Sequence, residues 1–165
     1  MISPDHAQLM ARYNRWQNEN LFGAAEMLSQ EDRLAERGAF FGSIMGTLNH
    51  ILWADRLWLS RFEGGERPPQ TNPQSRYLHD AWQALRTDRA ATDQRILDWT
   101  GRLTPDELSR DLVWHSAMVG GEIRQPMWRP VAHFFNHQTH HRGQAHALLT
   151  AAGARPDDTD LMLIS

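Results

Sequence analysis

Four long segments of the sequence carry apolar residues at the spacing of an α-helix, and this pattern constrains the fold more than any other feature. The first predicted helix begins after Ser3, a favourable N-cap that is followed by Pro4 at the first helical position. The other three are predicted over residues 43–62, over residues 78–99, and from residue 126 or 130 to residue 152. Gly153 and Pro156 are typical of the end of a helix.

Apolar side chains at helical spacing predict which faces of these helices are buried. For the first helix, the predicted stripe consists of Leu9, Tyr13, Trp16, Leu21, Ala24 and Leu28. Most of the seven tryptophans are expected in the core, with Trp53, Trp114 and Trp128 as candidate walls of a cleft.

The connections between the helices predict a four-helix bundle with one small insert. About 14 residues join the second and third helices, which is long enough to cross the bundle if these two helices run parallel. After the third helix, Thr104 and Glu107 indicate one short helical turn, and Gly120 and Gly121 are consistent with a hairpin. We therefore predict an all-α fold over residues 1–165, a single four-helix-bundle domain with a small irregular or hairpin insert between helices three and four.

Charge and residue types exclude several classes of function. The chain has 20 acidic residues against 17 basic ones, all of them arginine, and its net charge of −3 argues against binding to nucleic acid. The absence of lysine excludes Schiff-base and P-loop chemistry, and the absence of cysteine excludes disulfides and cysteine-ligated zinc. No apolar stretch approaches the ~18 residues of a membrane span, and no signal peptide is recognisable, so we expect a cytoplasmic protein without membrane contact.

The fourth predicted helix carries a row of histidines four residues apart, namely His133, His137 and His141. Neighbours in this row lie one helical turn apart, so two of them can bind one metal ion. The outer two are ~12 Å apart along the helix axis, so one more ligand must come from another helix. His50 is the best candidate, because it lies among apolar residues of the second helix, where an unpaired imidazole is unfavourable.

The residues around the histidines of the fourth helix restrict which type of metal site they can form. A zincin helix needs a glutamate after its first histidine, and Gln138 stands there instead. Three neutral imidazoles would leave a divalent ion its positive charge and open positions for water or substrate, as in catalytic sites. Spacing alone does not distinguish a metal site from an ordinary pair of surface or core histidines that binds no ion, so this alternative stays open. His140 is either a surface residue or a proton shuttle, and Gln144 and Arg142 are candidates to orient ligands or substrate.

Two parts of the sequence resemble signatures of the DinB-like, YfiT-related family of metalloproteins. The stretches GTLNH (46–50) and ADRLWL (54–59) are similar to its second-helix signature, and NHQTHHRGQ (136–144) is similar to its fourth-helix signature. The resemblance covers nearly the whole chain to about Pro156 and implies a four-helix bundle, usually dimeric, that binds one divalent ion, nickel or zinc. Matched by position, the implied ligands are His50, His137 and His141, and His133 is not a ligand.

The resemblance also implies an activity. Characterised members of this family include S-transferases that use bacillithiol and an isomerase that depends on mycothiol. We therefore expect a metal-dependent enzyme that transfers a low-molecular-weight thiol to a small electrophile, with His140 as a candidate proton acceptor and a homodimer as its assembly. Two alternatives remain open: a hydrolase that activates water on the metal, and a metal-binding stress protein without catalytic activity.

Overall fold

The computed structural model describes residues 1–164, which form mostly helices and one small two-stranded sheet. The helices are α1 (Pro4–Glu26), α2 (Gln30–Leu34), α3 (Ile44–Phe62), α4 (Trp82–Arg102), α5 (Pro105–Ser109) and α6 (Trp128–Ala151). The strands are β1 (Asp111–Ser116) and β2 (Gly121–Pro126). The prediction of a predominantly helical chain with four long helices is confirmed in this broad form.

Side-chain caps begin the first two long helices where the sequence predicts them. The hydroxyl of Ser3 accepts from the backbone N–H of His6, and the hydroxyl of Ser43 accepts from the N–H of Gly46. At the other end of the chain, Gly153 has a φ of 85° just after α6, a backbone conformation that favours glycine. Local capping chemistry is therefore sufficient to define these helix ends.

The third long helix begins four residues later than predicted, at Trp82 rather than Leu78. Leu78 closes a short 3₁₀ turn, Ser75–Tyr77, instead of opening the helix. The side chain of Asn49 accepts a hydrogen bond from the backbone N–H of His79 and donates one to its carbonyl oxygen. This pairing holds the segment against α3 in a non-helical conformation, which the apolar periodicity did not reveal.

The directions of the four long helices follow from contacts along their length. Arg89 pairs with Asp55 and Arg95 pairs with Glu63, so α3 and α4 run in the same direction, as the long connection allows. Helices α3 and α6 run in opposite directions, since His50 contacts His141 whereas Trp58, further along α3, contacts the earlier His133 of α6. Contacts of α1 with both α4 and α6 bring the four helices together.

The hairpin between α5 and α6 has the predicted position. Strands β1 and β2 are antiparallel, Trp114 pairs with Ile123, and Gly120 occupies the turn with a φ of 71°. The short helix α5 carries the predicted capping box, in which Thr104 and Glu107 exchange hydrogen bonds. The hairpin contacts α3 through β1 and α6 through β2, so it covers one end of the groove between these helices.

A buried polar layer separates two apolar clusters in the middle of the molecule. The guanidinium of Arg89 on α4 lies 2.6 Å from a carboxylate oxygen of Asp55 on α3 and 2.8 Å from one of Asp93. The same oxygen of Asp93 accepts from the side-chain amides of Asn14 and Asn18 on α1, at 3.1 and 2.9 Å. All five residues are at most 3% exposed, so each charge depends on its partners rather than on water.

This layer corrects the predicted face of α1. Tyr13 and Leu21 of the predicted stripe are buried, whereas Leu9, Trp16, Ala24 and Leu28 are only half-buried. The helix instead buries Ala7, Ala11, Asn14, Asn18 and Ala25. The physical reason is that the two asparagines face Asp93, which places polar residues at core positions. An apolar pattern cannot reveal a face of this kind.

The last residues of the described chain pack along α1. The hydroxyl of Tyr13 donates to the carbonyl of Thr159 at 2.6 Å, and the amide of Gln17 donates to the carbonyl of Asp158 at 3.0 Å. The apolar side chains that follow, Met162 and Leu163, remain exposed. Within residues 1–164, no helix is both long and apolar enough to cross a membrane.

Replacing Asp93 should be strongly destabilising. We expect Asp93→Ala to lower the free energy of unfolding by about 3–5 kcal/mol, because Arg89 and the side-chain amides of Asn14 and Asn18 remain buried but lose their shared acceptor. Urea denaturation monitored by circular dichroism measures the change. Asp98→Ala, an exposed position on the same helix, should cost less than about 0.5 kcal/mol, and an equal loss in the two variants would contradict the role given to the layer.

Candidate metal centre

Three imidazoles from two helices meet in the groove between α3 and α6. His50 comes from α3, and His137 and His141 come from consecutive turns of α6. One ring nitrogen of each lies within 4.8 Å of the other two, and Nε2 of His50 is 3.4 Å from Nε2 of His137. Two nitrogens that bind the same tetrahedral ion at its usual bond length are about 3.3 Å apart, so the spacing suits a shared cation.

A serine from the connection between α3 and α4 orients His50. Nδ1 of His50 lies 2.8 Å from the hydroxyl of Ser75, and that hydroxyl donates its own proton to the carbonyl of Asn72 at 2.6 Å. Ser75 therefore accepts from His50, so the proton of the imidazole is on Nδ1 and the lone pair is on Nε2. Nε2 is the nitrogen that points towards His137.

A glutamine one turn along α6 has the same effect on His141. Nδ1 of His141 lies 2.7 Å from the amide oxygen of Gln144, which can only accept, so His141 also presents an unprotonated Nε2. The amide nitrogen of Gln144 lies 3.2 Å from Nε2 of His140 and donates to it. Gln144 thus connects the predicted ligand His141 with the predicted proton shuttle His140, whose side chain is exposed.

Aromatic rings shield one side of the histidine cluster from water. Phe41 stacks on His50 with ring centroids 3.7 Å apart and meets the edge of His141 at 5.4 Å. Trp53 lies beside His50 at 5.8 Å and anchors its indole N–H on the carbonyl of Gln70. These contacts hold the imidazoles in place and form an apolar surface next to them.

Burial keeps these imidazoles neutral. It lowers the pKa of His50 to about 2, with the neighbouring His141 and His137 acting in the same direction. Burial also lowers the pKa of His137 to about 3 and, less strongly, that of His141. A metal ion binds only neutral imidazoles, so the site is in the correct protonation state at neutral pH without any change.

The donor set fits a divalent transition metal. Within residues 1–164, the group that could hold an ion contains these three histidines and no carboxylate. Two lone pairs are directed by hydrogen bonds to Ser75 and Gln144, an arrangement that proteins use to fix the tautomer of metal-binding histidines. Imidazole ligands suit zinc, nickel and copper better than magnesium or calcium.

The other candidates lie near this cluster with different surroundings. The ring of His133 is 5.7 Å from that of His137 but outside the group of convergent nitrogens, as the resemblance implies. Arg142 turns away from the cluster into the buried polar layer, where it donates to Asn14 and to the hydroxyl of Thr139. Gln138 donates to Asp55 in the same layer at 2.9 Å, which gives the residue at the zincin glutamate position a structural role.

Sequence reasoning missed two residues that shape the site. Phe41 precedes α3 in a turn, and Ser75 lies in the long connection, where apolar periodicity carries no information. Asn49 offered an indirect signal, since this polar residue beside His50 in an apolar helix required a partner. That partner is the backbone of His79, four residues after Ser75.

Comparison with known proteins agrees with the two sequence signatures. A family model described as the DinB family matches residues 3–164. The protein named Protein DinB from Bacillus subtilis is 26% identical over 165 aligned residues, which cover 94% of this chain and 91% of that protein. These matches confirm the resemblance to the DinB family.

The neutral state of His50 predicts a pH dependence of stability. In the unfolded chain its imidazole takes up a proton below pH ~6.5, whereas the folded chain resists this until about pH 2. The metal-free protein should therefore lose about 2 kcal/mol of unfolding free energy through this residue between pH 7 and pH 5. We expect His50→Asn to remove that part of the slope in urea titrations after chelation of metal.

The exposed His6 provides the control for this experiment. His6→Asn should leave the pH dependence as it is in the unchanged protein, because its side chain lies outside the core. An unchanged slope in His50→Asn would show that this imidazole is not held neutral by burial.

Proposed function

The chain belongs to the DinB family, and we propose that it is a divalent-metal-dependent enzyme that transfers a low-molecular-weight thiol to electrophilic small molecules. The observation that carries the proposal is the convergence of three neutral imidazoles without a carboxylate in the described cluster. Such a donor set leaves the charge of a divalent ion uncompensated, which favours an anionic ligand such as a thiolate. The absence of cysteine from the chain is consistent with a thiol supplied from outside.

The residues of the chain would divide the work as follows. His50, His137 and His141 would hold the ion, and Ser75 and Gln144 would keep two of these imidazoles in the required tautomer. A bound divalent ion would lower the pKa of a coordinating thiol and so supply the nucleophile at neutral pH. Phe41 and Trp53 would exclude water from one side of the reacting groups.

His140 is the proposed acceptor of the thiol proton. Its Nε2 accepts from Gln144 in the structure, so it would take the proton at this nitrogen as that hydrogen bond breaks. In the transfer step the sulfur–carbon bond forms, the leaving group departs with its electron pair, and the proton passes through His140 to solvent. The exposure of His140 gives this last exchange a direct route.

We extend the proposal to the assembly and the metal. Nickel or zinc is the ion we infer, because both accept three imidazoles and leave positions for a ligand. We also propose the four-helix-bundle topology of the family, a homodimer and a cytoplasmic location. The parallel pair α3 and α4 and the contacts of α1 with α4 and α6 support the bundle topology.

Removal of the Ser75 hydroxyl should weaken metal binding without removing a ligand. We expect Ser75→Ala to raise the Kd for zinc about 10- to 100-fold, because the Nδ1 proton of His50 loses its acceptor and the tautomer is no longer fixed. Competition with a chromophoric chelator measures this value. Thr71→Ala, in the same connection, serves as the control, and equal affinities of Ser75→Ala and the unchanged protein would contradict the orienting role.

The decisive test combines metal content with thiol turnover. We expect one metal ion per chain by mass spectrometry of the elements, and conversion of monochlorobimane that requires both the metal and glutathione or bacillithiol. His141→Ala should lose the metal and the activity, whereas the exposed His115→Ala on the hairpin should keep both. A fully metallated protein without thiol turnover would remove the transferase proposal, and hydrolysis of ester, amide or phosphate substrates without thiol would point to the hydrolase alternative.

A further inference from the structure

A half-buried arginine lies in the same groove as the histidine cluster. Arg61 is on the face of α3 that carries His50, three turns further along, and its guanidinium carbon lies 4.4 Å above the ring of Trp58. The ring of Trp114, from the hairpin, is 5.8 Å from the same carbon. Two tryptophans thus flank the cation and keep bulk water away from part of it.

Within residues 1–164, no carboxylate forms a salt bridge with Arg61. Other arginines of α3 and α4 have carboxylates, since Arg56 pairs with Asp88 and Arg95 with Glu63. The buried Nε of Arg61 has no hydrogen-bond partner among the described residues. Burial lowers the pKa of Arg61 to about 10, and a second cation, Arg67, acts in the same direction. A partly buried cation beside another cation is costly unless an anion joins them.

Aromatic contacts link Arg61 to the proposed metal ligands. The ring of Trp58 meets that of His133 at 5.4 Å, and His133 in turn lies 5.7 Å from His137. Because α3 and α6 run in opposite directions, this path follows the groove between them along the three helical turns from Arg61 to His50, about 16 Å. A molecule that reaches both ends must therefore be extended rather than compact.

From this arrangement we propose that Arg61 binds a carboxylate of the ligand that occupies the groove between α3 and α6, which makes the site specific for extended, anionic molecules. The carboxylate would replace the missing acidic partner of the guanidinium, and the faces of Trp58 and Trp114 would pack against the apolar part of the ligand. The other end of the same molecule would reach the histidine cluster. This last point rests on the proposed function, whereas the carboxylate site on Arg61 does not depend on it.

A purely structural role is the competing explanation. Arg61 could serve only to hold Trp114 of the hairpin against Trp58 of α3. In that case its replacement would affect all ligands of the groove to the same extent, and the presence of a carboxylate on the ligand would not matter. A comparison of acid and ester forms of one ligand therefore separates the two roles.

The experiment measures binding of three probes to the metal-loaded protein by calorimetry. The probes are glutathione, its diethyl ester, and S-methylglutathione, which keeps the carboxylates but has no free thiol. We expect Arg61→Gln to raise the Kd of glutathione and of S-methylglutathione at least about 10-fold, because a charge-assisted hydrogen bond to the carboxylate is lost. The Kd of the ester should change less than about 2-fold. Arg61→Lys should restore part of the loss, since it keeps the charge without the planar fork.

Arg33→Gln is the matched control, because Arg33 is also a partly buried arginine stacked on a tryptophan, Trp82, and lies outside this groove. It should leave the three Kd values unchanged. Equal binding of acid and ester forms, or an equal loss for both in Arg61→Gln, would overturn the inference. Binding of S-methylglutathione that depends on Arg61, in a protein without thiol turnover, would support the carboxylate site and remove the transferase proposal.

Discussion

Arg89 is the cation around which the four long helices meet. It binds Asp55 from α3 and Asp93 on its own helix, and through these carboxylates it is connected to Asn14 and Asn18 of α1 and to Gln138 of α6. Every member is buried, so these contacts form together only when all four helices are in place. Networks of this kind contribute less to the magnitude of stability than to the choice of one arrangement, because any other packing would leave charges unpaired.

The same layer determines where the histidines come together. Gln138 follows His137 directly in α6, and Asp55 lies five residues after His50 in α3. The hydrogen bond between Gln138 and Asp55 therefore sets the level of one helix against the other just behind the candidate metal centre. A metal site needs ligands held to within a fraction of an ångström, and rigid helices joined by a buried polar contact provide this better than loops.

Local signals in the sequence were sufficient for the helix ends at Ser3, Ser43 and Gly153 and for the hairpin turn at Gly120, because these residues act through their own neighbours. They were not sufficient for the start of α4, which depends on the contact of Asn49 with the backbone of His79. The convergence of His50 with His137 and His141 came from spacing together with a family resemblance, since spacing alone left other pairings open. The polar face of α1 was not predictable, because asparagines such as Asn14 and Asn18 are usually exposed. They are buried in this fold since both donate hydrogen bonds to Asp93 of α4. Ser75 was out of reach for a related reason, since a serine in a loop acquires its role only from the fold.

Connections between helices are usually where a family accumulates insertions and substitutions most freely. The segment before α4 carries a constraint of its own, because the carbonyl of Asn72 orients Ser75, which orients His50 in turn. A single residue gained or lost between them would leave the helices and all three histidines intact and still alter the electronic character of the site. The length of this connection is thus a variable that can change the properties of the metal centre while every ligand stays the same.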